Sequence, residues 1–223
     1  MTAQIMDAIT YKNDSEYCII ASDNNFMPFN PNDYNIKTFA PSTACWCGFH
    51  CDCEIKDDKC IINTIYVSAR NEFDVNSILN GQGSYEVERI TNKDFYEMIK
   101  IDDVQQPGSY VFKNLNKLYS YSGKLLIGKD FLNRYYIHMG TQMPHAFKTL
   151  YELEFKNGTL IKETNMSIYG EIVRSGKVKI EEEPSMDDIE AADNWIEKMF
   201  SQDYNDKVKY LYKAAEEYKG TLS

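Results

Sequence analysis

The stretch Cys51-Asp52-Cys53-Glu54-Ile55-Lys56-Asp57-Asp58-Lys59-Cys60-Ile61 decides the fold class of this chain. Through Ile55, apolar and acidic residues alternate at period two, the period of a strand with one buried face. Asp57-Asp58 breaks the alternation with residues that tolerate positive φ. The chain then returns through Cys60 to Val67 with Ile61, Ile65 and Val67 assigned to one face, so the stretch reads as a β-hairpin. The layout recurs at Leu150 to Phe155, Asn157-Gly158 and Leu160-Ile161, and Asn-Gly between alternating strands is a strong hairpin signal. Cys-Glu-Ile-Lys-Asp-Asp-Lys-Cys-Ile at 53–61 aligns with Leu-Glu-Phe-Lys-Asn-Gly-Thr-Leu-Ile at 153–161. The pair is either a duplicated β unit or two hairpins that converged on one pattern.

Further strands are read at Glu16–Ser22, Tyr85–Ile90, Ser109–Phe112, Leu118–Tyr121, Lys124–Ile127, Arg134–Met139, Ser167–Arg174 and Lys177–Glu181. Residues 23–41, with Pro28, Pro31 and Pro41 among many Asn and Asp, read as a long loop, and such loops are either functional or loosely ordered. Asp74 is placed to cap a helix Val75–Leu79 with Gly81 beyond its end, and Thr91 with Asp94 predicts another near 91–100. Ser185 with Asp188 caps a C-terminal helix on which Ile189, Ala192, Ile196 and Met199 share a face. A second helix starts near Asp203 and aligns Val208, Leu211, Ala215 and Tyr218. The expected architecture is one α+β domain over 1–223. Antiparallel meander and hairpins fill 16–181, and a C-terminal helical pair covers about 185–200 and 203–219.

With 43% hydrophobic residues the chain can bury a core, and no apolar run approaches the roughly 18 residues that a membrane span needs. The 34 Asp and Glu against 24 Lys and Arg give a formal charge of −10. Such a surface repels phosphate backbones and anionic lipid, so neither nucleic acid nor membrane is expected as a partner, and a basic protein is the macromolecule that electrostatics would favour. The segment Met1 to Asp7 has neither a basic nor an apolar region of the secretory type, and six cysteines are too few for a disulfide scaffold, which together predict a cytoplasmic protein with thiols. Arginine occurs only at 70, 89, 134 and 174 while Lys, Asn, Ile and Tyr abound, a bias of AT-rich bacterial genomes.

The densest chemical feature is Cys45-Trp46-Cys47-Gly48-Phe49-His50-Cys51-Asp52-Cys53. Its ligand types suit zinc, but the C-x-C pairs are poorly spaced for a tetrahedral site, and Cys51 and Cys53 fall on the buried phase of a strand, so core packing is the favoured reading. His138 on an expected strand and His145 after Pro144 are acid–base candidates without a visible partner. Glu152 with Glu154, and Glu86 with Glu88, read as the solvated faces of strands. Glu181 to Glu190 holds six acids and no base, ahead of Trp195 and Phe200.

From these features the leading expectation is a non-enzymatic bacterial protein-binding module, an immunity-type neutraliser of a basic protein being one form of it. Docking is assigned to Glu182, Glu183, Asp187, Asp188 and Trp195, where acids would steer encounter and an aromatic would anchor it. No catalytic residue, cofactor or metal is assigned. The alternatives are an enzyme with a pocket near His138 and His145, and a small zinc-stabilised module built on the 45–53 cluster.

Overall fold

The computed structural model describes residues 2–12, 15–89, 108–180 and 189–220. Among them ten strands form one sheet: β1 (Ala8–Tyr11), β2 (Ser15–Ser22), β3 (Phe49–Lys56), β4 (Lys59–Ala69), β5 (Ser84–Arg89), β6 (Gly108–Lys113), β7 (Lys117–Leu118), β8 (Gly123–Phe131), β9 (Phe147–Lys156) and β10 (Thr159–Asn165). The order is β10-β9-β8-β2-β1-β3-β4-β6-β5, with β7 beside β4. Every pairing is antiparallel except β1 with β3. Four helices accompany the sheet among the described residues: α1 (Val75–Leu79), α2 (Ser167–Arg174), α3 (Ile189–Phe200) and α4 (Tyr204–Gly220). The class is α+β with a C-terminal helical pair, as the sequence predicts.

Both predicted hairpins form, and their tips meet. Asp57 and Asp58 have φ of 48° and 59°, and Asn157 and Gly158 of 50° and 73°, so each turn carries the two positive φ angles that match strand twist. Thr159 pairs with Lys59, closing β10-β9-β8-β2-β1-β3-β4 into a ring. Two tip-to-tip bonds hold the closure: Cys60 N–H donates to Gly158 O at 2.9 Å and Leu160 N–H to Asp58 O at 2.7 Å. The segment after β7 braces it, Tyr119 N–H donating to Cys60 O and Gly158 N–H to Tyr121 O. A Cβ at Gly158 would stand 2.4 Å from Tyr119 O, which is why the second tip needs glycine while the first accepts Asp58.

Period-two alternation sends Ile9, Tyr17, Ile19, Leu125, Ile127, Leu153 and Phe155 into the ring, together with Cys51, Cys53 and Cys60. A bulge between Asp52 and Cys53, opposite Asn63, shifts the register in β4. Ile62 therefore points inward with Ile65 and Val67, and Ile61 does not share their face as expected. The 23–41 loop is a plug: Phe26, Phe29 and Ile36 are buried in the same core, and a 3-10 turn at Pro31–Tyr34 stacks Tyr34 on Phe29. Burial of these aromatics orders a segment whose Pro and Asn content reads as loose.

The opposite face of β2, β8 and β9 carries Ile20, Leu126, Phe147 and Leu150, which bury against α2 and α4. Ser167–Arg174 is helix α2 instead of the expected strand: Ile168 with Ile172 and Tyr169 with Val173 recur at i, i+4, which outweighs their β-branched content. Its start docks on β9, where Leu150 N–H donates to Ser167 Oγ at 3.0 Å. Arg134–Met139 forms no strand either. A 3-10 turn covers Asn133–Tyr135, and the buried Gln142 side chain then clamps Ile137 at both its N–H and its carbonyl, each at 2.9 Å, supplying the bonds a neighbouring strand would. Residues 177–180 are irregular, and the Leu118–Tyr121 strand shrinks to the two residues of β7. α1 is as read, Asp74 accepting from Asn76 N–H at 3.0 Å, whereas the helix expected near 91–100 lies outside the described residues.

In the C-terminal pair the buried stripe of α4 runs through Tyr204, Lys207, Val208, Leu211 and Ala214, not through Ala215 and Tyr218. In α3, Ala192 and Met199 are buried while Ile189 is 73% exposed. Among the described residues no helix is long and apolar enough to cross a membrane.

Candidate functional site

A cavity of about 210 Å³ lies where the loop after β8 meets α3 and α4. Its walls come from segments far apart in sequence: Ile137 and Met143 from the irregular 136–146 stretch, His145 from the turn Pro144–Ala146, Trp195 and Met199 from α3, and Lys207 and Tyr210 from α4. Backbone bonds fix their relative places. Thr141 donates to Met199 O through its N–H at 2.7 Å and its hydroxyl at 3.0 Å, tying the end of α3 to the loop. Ser22 N–H donates to Gln202 O at 3.0 Å, anchoring the α3–α4 connection on β2, and Asp203 caps α4 through Asp206 N–H at 3.1 Å.

Lys207 is the unusual wall. It is only 2% exposed and, among the described residues, its Nζ has a single polar contact, Met143 Sδ at 3.7 Å, a weak acceptor. Among the described residues no carboxylate comes within ion-pair distance of it. Burial lowers its amine to about 8, against a smaller opposing pull from Asp206. His145, buried beside it, is lowered to about 4 by desolvation first and by the Arg174 charge second, so its ring is neutral at pH 7. That ring lies edge-on to Tyr135 at 5.4 Å, and among the described residues neither a carboxylate nor a thiol hydrogen-bonds to it. Arg174 instead donates to the carbonyls of His145 and Phe147 at 3.2 and 2.8 Å.

The structure thus gathers Trp195 and His145 in one cavity. His138 is exposed, edge-on to Tyr136, and is not part of the wall. Glu182, Glu183, Asp187 and Asp188 lie outside the described residues. Lys207 was not singled out by sequence reading. The available signal was its position on the 204-207-208-211-214 stripe, at the i+3 and i+4 spacing of a buried helix face.

Two other clusters are accounted for structurally. Glu152, expected on a solvated face, is 6% exposed and points from β9 into the layer under α4. Tyr204 and Tyr212 both donate to it, the latter at 2.6 Å, and Lys124 Nζ stands at 3.3 Å. Burial raises its pKa, but the two hydroxyls and Lys124 outweigh that, so the carboxyl sits below its ordinary range. Glu152→Gln is expected to cost about 1.5–3 kcal/mol in urea unfolding at pH 7, the range for hydrogen bonds to a charged group. Because the folded carboxyl is the stronger acid, that stability is present above the unfolded value near 4.3 and is lost as pH falls through the folded one. The two proteins should therefore converge in acid.

In the 45–53 cluster, Cys51 and Cys53 face the ring interior, Cys45 is buried and Cys47 exposed in the preceding loop, and His50 stacks on Tyr66 at 4.2 Å. Alternation along β3 turns His50 away from Cys51 and Cys53. Among the described residues no three His, Cys, Asp or Glu are grouped as metal ligands. Nearby Asp7 is raised to about 6 by burial, although it accepts Cys51 N–H at 2.7 Å.

No family model, no curated protein and no solved structure matches the chain.

Proposed function

We propose that the protein is a non-catalytic binding protein and that its site is the cavity between the 136–146 stretch and helices α3 and α4. The observation that carries this reading is the wall itself. Aromatic and aliphatic side chains from four segments line the cavity around one buried lysine that has no anionic partner among the described residues, the composition of a small-molecule pocket with a few placed polar groups. The alternative of an enzyme using His145 requires a partner that positions the ring and is poised for proton transfer near neutral pH. Among the described residues His145 has no such partner, and it is held neutral down to about 4. A small molecule is favoured over a protein surface as the occupant, because Trp195 is half-buried in the cavity and does not stand clear as an anchor.

Trp195 supplies the test. In a Trp46→Phe background it is the sole tryptophan, and titration with a neutral apolar probe, 1-octanol, is expected to change its emission saturably. A response that stays linear up to the solubility limit would remove the cavity as a binding site.

A further inference from the structure

The molecule holds several chemically loaded places: the Asp7–Cys47 region, the Glu152 network, the groove by Arg134 and Arg174, and the α3–α4 cavity. In the Glu152 network every partner is satisfied within the fold. The thiol of Cys47 is used as a donor to Phe49 O at 2.9 Å. Arg174 is spent on two backbone carbonyls. Among the described residues, Lys207 combines near-complete burial, a strong donor group and a partner too weak to satisfy it.

We propose that the cavity takes a small carboxylic acid with an apolar body, its carboxylate seated on the ammonium of Lys207. This deepens the binding-site reading and rests on it. An ammonium buried without an anion is costly, and a structure that keeps one next to an empty space has left the anion to be supplied by a ligand. Met143 Sδ occupies one donor direction and leaves the remaining N–H groups for carboxylate oxygens. The rest of the wall selects the body. Trp195, Tyr210, Met143, Met199 and Ile137 offer apolar contact for an alkyl chain or one aromatic ring.

Isothermal titration at pH 7 with octanoate and with 1-octanol separates the head group from the body. Wild-type protein is expected to bind octanoate at least tenfold more tightly than octanol. Lys207→Met is expected to lose that preference while binding octanol at least as well as wild type. Equal wild-type affinity for the two probes, or an undiminished preference in Lys207→Met, overturns the carboxylate assignment and leaves the cavity reading standing. Failure of both probes to bind overturns the two together. The wild-type comparison decides the matter even if the variant does not fold.

Discussion

Gly140→Ala is expected to unseat helix α3 and destroy the cavity. Gly140 has φ of +67°, and a Cβ there would stand 2.2 Å from Met199 O and 2.5 Å from its carbonyl carbon. These are backbone atoms of the last turn of α3, so no rotamer change relieves the clash. The same oxygen accepts both the N–H and the hydroxyl of Thr141, and Gly140 O accepts Gln4 N–H at 2.8 Å, so any shift breaks bonds on both sides. A left-handed alanine and the displaced helix together should lower stability by about 3 kcal/mol, the upper end for one strained residue. In the Trp46→Phe background, Trp195 emission should move to longer wavelength as α3 leaves the wall. A wild-type unfolding midpoint together with unshifted emission would show that α3 does not depend on this contact.

Lys207→Met is expected to make the ligand-free protein more stable. The fall of the Lys207 amine from its usual 10.5 to about 8 corresponds to roughly 3 kcal/mol against the charged form, and Met fits an apolar stripe that already holds Val208 and Leu211. The gain at pH 7 should therefore be about 1–3 kcal/mol. Its pH dependence has a fixed sign. Below about 8 both folded and unfolded lysine are charged and the cost of burial is complete. Between about 8 and 10.5 the unfolded chain holds the proton that the folded one has released, so wild-type stability climbs relative to the variant and the gap closes. Asp206, His145, Tyr210, Lys198 and Lys209 face the same cavity but are common to both proteins, so the difference reports Lys207. A residue kept at a cost to stability and needed for carboxylate binding is the signature of a functional lysine. A destabilised variant would instead mark Lys207 as a structural residue whose charge is satisfied in the folded protein.

The two hairpins were legible because their strands obey period two and their tips carry Asp-Asp and Asn-Gly. That those tips pair with each other was not, since Thr159↔Lys59 is one residue pair with no side-chain signal. β1 escaped for a related reason: it has four residues, and its parallel pairing with β3 spans only Ala8 to Thr10. Periodicity misled where tertiary contacts supplied what a strand normally gets from its neighbour, as the Gln142 clamp does at Ile137, and where β-branched residues entered a helix, as in α2. Of the site, the aromatic and imidazole members could be read from sequence, since Trp195 and His145 stand out as residue types. Lys207 was harder to read: its i+3 and i+4 spacing on the buried stripe was there, but a lysine on a C-terminal helix ordinarily belongs to its solvated face, and the placement of α4 on β2 and β8 turns it inward.

Occupation of the cavity by a carboxylate is tested by the methyl spectrum of protein labelled with ¹³C at its methionine methyl groups, followed during titration with octanoate. Saturable shifts are expected at Met143 and Met199, the two methionines of the described cavity wall, with Met27, which lines a separate pocket, unmoved. Methyl signals of Met143 and Met199 that stay in place at saturating probe, or shifts confined to other methionines, would contradict it.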